Sequence, residues 1–196
     1  SVEVLSEHHL TGHMADYPLI VVPEWEYLEQ NFRDELAAYV KGGGNLLVIG
    51  PKGAALFQDE LGVKSDGTPM LVEAQCLAYN GGHAGIQGLI QHVNPGPAAR
   101  AFGNLEKTNT SDAVVQPAAS VASLGRGKIA AVYFSLGQNY IALHDQLYRQ
   151  FINDLARQLF AKPMVEVHGS PSVDVVVNRL NGKLAVNLVN TSGDHK

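Results

Sequence analysis

The residues able to do chemistry are few, and their surroundings decide what each could do. The single thiol, Cys76, lies in Ala-Gln-Cys-Leu-Ala-Tyr. A nucleophile on an α/β scaffold needs a sharp strand-to-helix turn flanked by small residues. Cys76 instead sits in an apolar, strand-like run and reads as a buried structural cysteine. No Gly-x-Ser-x-Gly occurs. Ser135, in Phe-Ser-Leu-Gly just after a strand, is the nearest imitation, and it lacks the preceding glycine. No catalytic residue is assigned.

Ligand-contact candidates remain. Glu24 and Trp25 follow Pro23 at the end of an apolar run. An acid beside an aromatic suits a sugar, whose ring stacks on the aromatic while the carboxylate takes its hydroxyls. The competing reading gives Glu24 to a helix dipole and Trp25 to the core. Gly50-Pro51-Lys52-Gly53 leads into a helix, so Lys52 could meet an anion or a sugar hydroxyl. His144 joins these candidates, and the neighbouring Asp145 reads as the cap of the last helix. His83 reads as a loop residue. His8, His9 and His13 lie close together after a first strand, a spacing that suggests a transition metal only weakly against surface or capping roles. No cofactor is expected.

The elements that would hold these residues are clearest from Tyr17 to Pro51. Leu19 to Val22 and Leu46 to Ile49 are continuous apolar runs, suited to strands buried on both faces. Between them Trp25, Leu28, Phe32, Leu36, Tyr39 and Val40 recur at helical spacing. Glu24, Glu26 and Glu29 crowd its start, Lys41 sits at its end, and Gly42 to Gly44 stop it. The spacing predicts a right-handed βαβ unit. Val2 to Leu5 reads as a further parallel strand, and Gly53 to Leu61 as a short helix with Gly62 as its stop. Lys64 to Thr68 reads as a polar turn, and Met70 to Tyr79 and Gly85 to Val93 as strands. Phe102 to Asp112 reads as irregular. Ala118 to Leu124 and Lys128 to Phe134 form a hairpin around Gly125-Arg126-Gly127. Leu143 to Phe160 is an amphipathic helix, and Val165 to Val167 a short strand. Ser172 to Arg179 and Lys183 to Asn190 alternate around Asn181-Gly182, a strong hairpin signal.

The expected fold is therefore α/β, a three-layer sandwich with a mainly parallel central sheet plus a C-terminal β-hairpin. Residues 1–162 form the α/β domain. Residues 163–196 begin a β-rich domain or a docked hairpin. Charged residues are 17% and hydrophobic ones 45%, the balance of a globular chain. A net charge of -5 without a basic run argues against nucleic-acid or anionic-membrane partners. No apolar stretch reaches the length that spans a bilayer. The chain opens on Ser1 directly in a strand-like run, which suggests a piece of a longer protein whose targeting signal lies outside it.

Tyr-x-Leu-Ile-Val-Val-Pro, a helix ending Tyr-Val-Lys-Gly-Gly-Gly, and Asn-Leu-Leu-Val-Ile-Gly resemble the class I glutamine amidotransferase-like fold. The nearest version is the trimerisation domain of family-42 β-galactosidases and related bacterial glycoside hydrolases. Gly125 to Phe134 with its closing helix resembles the end of those domains. Val186 to Gly193 resembles the first hairpin of the β-domain that follows them. The chain lacks the Gly-x-Cys-x-Gly elbow and the late His-x-Glu pair of true amidotransferases. The resemblance thus implies a scaffold without glutaminase activity. It implies a non-catalytic accessory or assembly domain of a larger, carbohydrate-active protein. Its expected partners are neighbouring domains, a homo-oligomer or a saccharide. Two alternatives stay open: a small-molecule hydrolase or transferase on the same fold, and a carbohydrate-binding module.

Overall fold

The computed structural model describes residues 2–107, 115–160, 163, 165–166 and 173–190. The chain divides into two compact units, Glu7–Ala161 and Ser1–Ser6 together with Lys162–Lys196. In the larger unit β1 is Ile20–Val22, β2 Asn45–Ile49, β3 Val63–Tyr79 and β4 Gly82–Pro95. Strands β5 Ala99–Lys107, β6 Gln116–Leu124 and β7 Gly127–Val132 complete one seven-stranded sheet, in the order β1-β2-β7-β6-β5-β3-β4. Strand β2 pairs in parallel with both β1 and β7. The other four pairings, β7–β6, β6–β5, β5–β3 and β3–β4, are antiparallel.

The helices are α1 Glu7–Leu10, α2 Gln30–Lys41, α3 Pro51–Ala55, α4 Gln58–Leu61, α5 Leu136–Leu143 and α6 Gln146–Leu159. Alternate side chains of a strand face opposite ways, and here they feed two cores. Leu46 and Val48 of β2 and Ile129 and Ala131 of β7 join Phe32, Leu36 and Val40 of α2. Leu47, Ala130 and Val132 face the other way, with Tyr148, Phe151, Leu155 and Leu159 of α6. Strands β2 and β7 thus bury side chains on both faces, α2 joining one core and α6 the other.

Several expectations need correction. Val2 to Leu5 forms no strand; Val2 and Val4 are exposed, and β7 supplies the third parallel strand. Val21 is 44% exposed, because β1 lies at the sheet edge. Helix α2 begins at Gln30 rather than Glu24, so Trp25 lies outside the helix and outside the core. Lys64 to Thr68 belongs to β3, with a pairing irregularity between Asp66 and Met70 absorbing the polar stretch. His83 stands in β4, not in a loop. Phe102 to Lys107 is strand; residues 108–112 lie outside the described residues. The Leu143 to Phe160 helix is α6 alone, preceded by α5, with the Asp145 side chain accepting from Leu147 N at 2.8 Å as its cap. Val165 has no regular structure, and Val167 lies outside the described residues.

The glycines around α2 have a packing role. A Cβ on Gly127 would lie 1.9 Å from Gly44 O and 2.4 Å from Val40 O. Arg126 beside it donates from Nη2 to Gly42 O at 2.6 Å. The β6–β7 turn is therefore seated on the end of α2, which sets β7 beside β2.

In the smaller unit β8 Val173–Leu180 and β9 Lys183–Asn190 pair antiparallel. Their turn is Asn181-Gly182 at φ 50 and 76, the positive-φ pair expected of a two-residue hairpin. Val173, Val175 and Val177 are half-buried on one face, and Leu180, Leu184 and Leu188 are exposed.

Candidate functional site

In a parallel sheet all strand carboxyl ends lie along one edge, and side chains following them can converge. Here the three ends lead into Pro23-Glu24 after β1, Gly50-Pro51 after β2, and Tyr133 to Ser135 after β7. Gly50 N donates to Val132 O at 3.1 Å, so the β2 and β7 ends stay tied past the last paired residues.

Glu24 is the centre of this edge. It adopts φ 30, which strains a residue with a side chain. Its Oε1 accepts from Gly137 N, in the first turn of α5, at 2.5 Å. A carboxylate at a helix N-terminus meets both a free N–H and a favourable dipole. The positive φ thus coincides with a charged hydrogen bond joining the β1 end to α5.

Gly50 turns β2 into α3 at φ 97. A strained residue between a strand and a helix is the backbone geometry of a nucleophile elbow. Here that position carries no side chain. A Cβ on Gly50 would lie 3.1 Å from Glu24 Cγ, so the Glu24 stem occupies the space beside the elbow. Gly50-Pro51 reads from the sequence as a passage from strand to helix, but the space that Glu24 takes beside Gly50 has no signature there.

Ser135 is 7% exposed, and its hydroxyl donates to Leu89 O at 3.4 Å. It faces the β4 backbone, not a base. Asn139, also overlooked, binds the same region. Its Oδ1 accepts from Gln87 N at 2.8 Å and its Nδ2 donates to Gln87 O at 2.8 Å. The side chain thereby extends the β4 edge, and its only sequence signal was a polar residue inside an apolar helix.

The remaining candidates make separate contacts. Trp25 is 58% exposed. Lys52 Nζ lies 2.8 Å from Glu26 Oε2, an exposed pair of small energetic weight. His144 caps the far end of α5 at φ 51, its ring 6.3 Å from that of Tyr140. Among the described residues no hydrogen bond links it to Glu24, Trp25 or Lys52. His8 and His9 lie on α1, and His13 Nδ1 is 3.6 Å from Asp16 Oδ2. The strand that was to place them at a sheet edge is absent. Among the described residues no group of three or more His, Cys, Asp or Glu side chains is set to hold a metal.

Cys76 lies in β3, buried, with Sγ 3.6 Å from Glu106 O. Burial pushes its thiol pKa up, and the nearby Glu106 charge adds to this. Tyr133 is buried beside Ser120, the two hydroxyl oxygens 2.5 Å apart. Burial pushes its phenol up to about 12, with the Ser120 bond opposing.

Neither protein-family models nor curated proteins give a match to this chain. Solved structures do. A GH42 β-galactosidase from G. stearothermophilus aligns over 90% of this chain and 26% of its own, with TM-score 0.68 and 17% identity. The β-galactosidase from Rahnella sp. R3 aligns over 91% of this chain and 28% of its own, at TM-score 0.65 and 16% identity. An α-L-fucosidase, isoenzyme 2 from Paenibacillus thiaminolyticus, gives TM-score 0.72 and 12% identity over 91% of this chain and 31% of its own. The chain thus spans between a quarter and a third of these glycoside hydrolase chains. At such identities the likeness is one of fold.

Proposed function

We propose that this chain is a non-catalytic accessory and assembly domain of a larger, carbohydrate-active protein. The observation that carries the reading is the asymmetry of the structural matches. About nine-tenths of this chain aligns with about a quarter of each β-galactosidase, so the fold recurs as one part of longer chains. The edge of the parallel strands agrees with it: Gly50 stands at the elbow, and the Glu24 stem fills the space beside it. On this reading residues 1–162 are an amidotransferase-like scaffold in three layers. Residues 163–196 begin a β-rich domain, since an isolated two-stranded hairpin is marginal in water.

The test compares the parent protein with and without residues 1–196, by light scattering and by hydrolysis of nitrophenyl glycosides. The chain alone is expected to hydrolyse neither glycosides nor glutamine. Its deletion is expected to change the parent's oligomeric state. Hydrolysis by the isolated chain, or a deletion leaving oligomer and activity unchanged, refutes the proposal.

A further inference from the structure

The segment between β1 and α2 presents two aromatic rings that the fold does not use. Trp25 is 58% exposed and Tyr27 72% exposed. Neither the Trp25 indole N–H nor the Tyr27 hydroxyl has a hydrogen-bond partner among the described residues, and neither ring contacts another there. Such groups normally pair when a side chain packs.

The backbone carrying these rings is nonetheless fixed at both ends. Glu24 is tied to Gly137 N at 2.5 Å, and the Leu28 side chain is buried in the core. Between these anchors the Trp25 carbonyl lies against α3, where a Cβ on Gly53 would come within 3.1 Å of its oxygen. Glu26, between the two aromatics, pairs with Lys52 of α3 at 2.8 Å. The rings therefore stand on a braced segment whose middle residue, Glu26, forms an exposed ion pair of cancelling charge with Lys52.

We propose that Trp25, Tyr27, Glu26 and Lys52 form a binding platform for a neutral saccharide. An aromatic face matches the C–H face of a pyranose, and the flanking carboxylate and ammonium accept from and donate to its hydroxyls. The cancelling charges favour an uncharged polyhydroxyl ligand over an anion. Glu24 braces the platform: its Oε1 bonds to Gly137 N of α5 and holds the segment in place. The choice of a saccharide among neutral ligands rests on the carbohydrate-active reading above.

The chain contains one tryptophan, so its emission reports on this site alone. The 196-residue chain is titrated with short β-linked gluco-, manno- and galacto-oligosaccharides, following Trp25 fluorescence and, in parallel, calorimetry. At least one series is expected to give saturable binding. Tyr27→Ala is expected to weaken it roughly tenfold, the loss of one aromatic contact. Lys52→Met should weaken it as well, while Arg149→Ala, a change on α6 outside the platform, should leave it unaltered. Circular dichroism of each variant checks that the fold is intact. Three results overturn the proposal: no saccharide response in any series, binding undiminished in Tyr27→Ala, or emission that shifts only with protein concentration, which marks a protein interface. None of these bears on the deletion test of the assembly role, so the two readings fail separately.

Discussion

Replacing Glu24 separates a strained backbone from a charged hydrogen bond. The bond to Gly137 N is 2.5 Å long and sits at the start of α5. A hydrogen bond to a charged group contributes about 1.5–3 kcal/mol, against about 0.5–1.5 for a neutral one. Glu24→Gln keeps an acceptor and loses the charge, so it should cost about 1 kcal/mol. Glu24→Ala loses the bond and keeps the φ of 30, for about 2 kcal/mol. Glu24→Gly loses the same bond but relieves about 1–2 kcal/mol of left-handed strain. Greater freedom of the unfolded chain takes back about 0.4–1 kcal/mol. Glycine should therefore be less destabilising than alanine by about 0.5–1 kcal/mol, the reverse of their order at an ordinary position. Urea unfolding followed by far-ultraviolet circular dichroism measures the series, and hydrogen exchange at the Gly137 amide reports the bond itself. A glycine variant less stable than alanine would refute the strain argument. An alanine variant as stable as the parent would refute the hydrogen bond.

Gly127→Ala should abolish stable folding, because its Cβ would meet backbone oxygens at 1.9 and 2.4 Å that no rotamer can move; soluble expression tests this. The Tyr133 phenol is raised from 10.0 to about 12, so its neutral form is favoured in the folded chain. Its contribution is full below pH 10 and is lost as pH rises from 10 toward 12. Tyr79 and Tyr148 are raised to about 12 as well, so tyrosinate absorbance should show a late-titrating group of phenols whose amplitude Tyr133→Phe reduces by one. Cys76 should resist iodoacetamide at neutral pH until the chain is denatured, since its thiol is buried and its pKa is raised; rapid native labelling would contradict this.

What the sequence made legible was whatever its periodicity reports. The apolar run Leu46 to Ile49 read as a buried strand, and β2 is one. Asn181-Gly182 announced its hairpin, because few other residues accept two successive positive φ values. The failures occurred where distant contacts outweigh local preference. Val2 to Leu5 has strand-forming residues and yet pairs with no strand among the described residues. Trp25 fits the helical spacing, but α2 starts only at Gln30, and Glu24 at positive φ is bonded to Gly137 instead. Of the candidate residues, Glu24 bonds to the start of α5 and Lys52 pairs with Glu26, whereas His144 lies at the far end of α5. The Gly50 turn was legible as a passage from strand to helix, whereas Asn139 was not, since its partner Gln87 is distant in sequence.

The pairing of β2 with β7 also sets a timetable for biosynthesis. Asn45 Oδ1 accepts from Lys128 N at 3.2 Å, across a separation of 83 residues. A ribosome adding about 5–20 residues per second needs roughly 4–17 s to cover that interval. Throughout it the nascent chain holds β2 with one edge open, and that strand carries Leu46, Leu47, Val48 and Ile49. An open apolar edge is a template for pairing with another chain. The β6–β7 hairpin, a local structure, can form as soon as it emerges and then close that edge. Translation stalled before Gly127 would leave a polypeptide with most of its strands made and one edge of β2 unprotected.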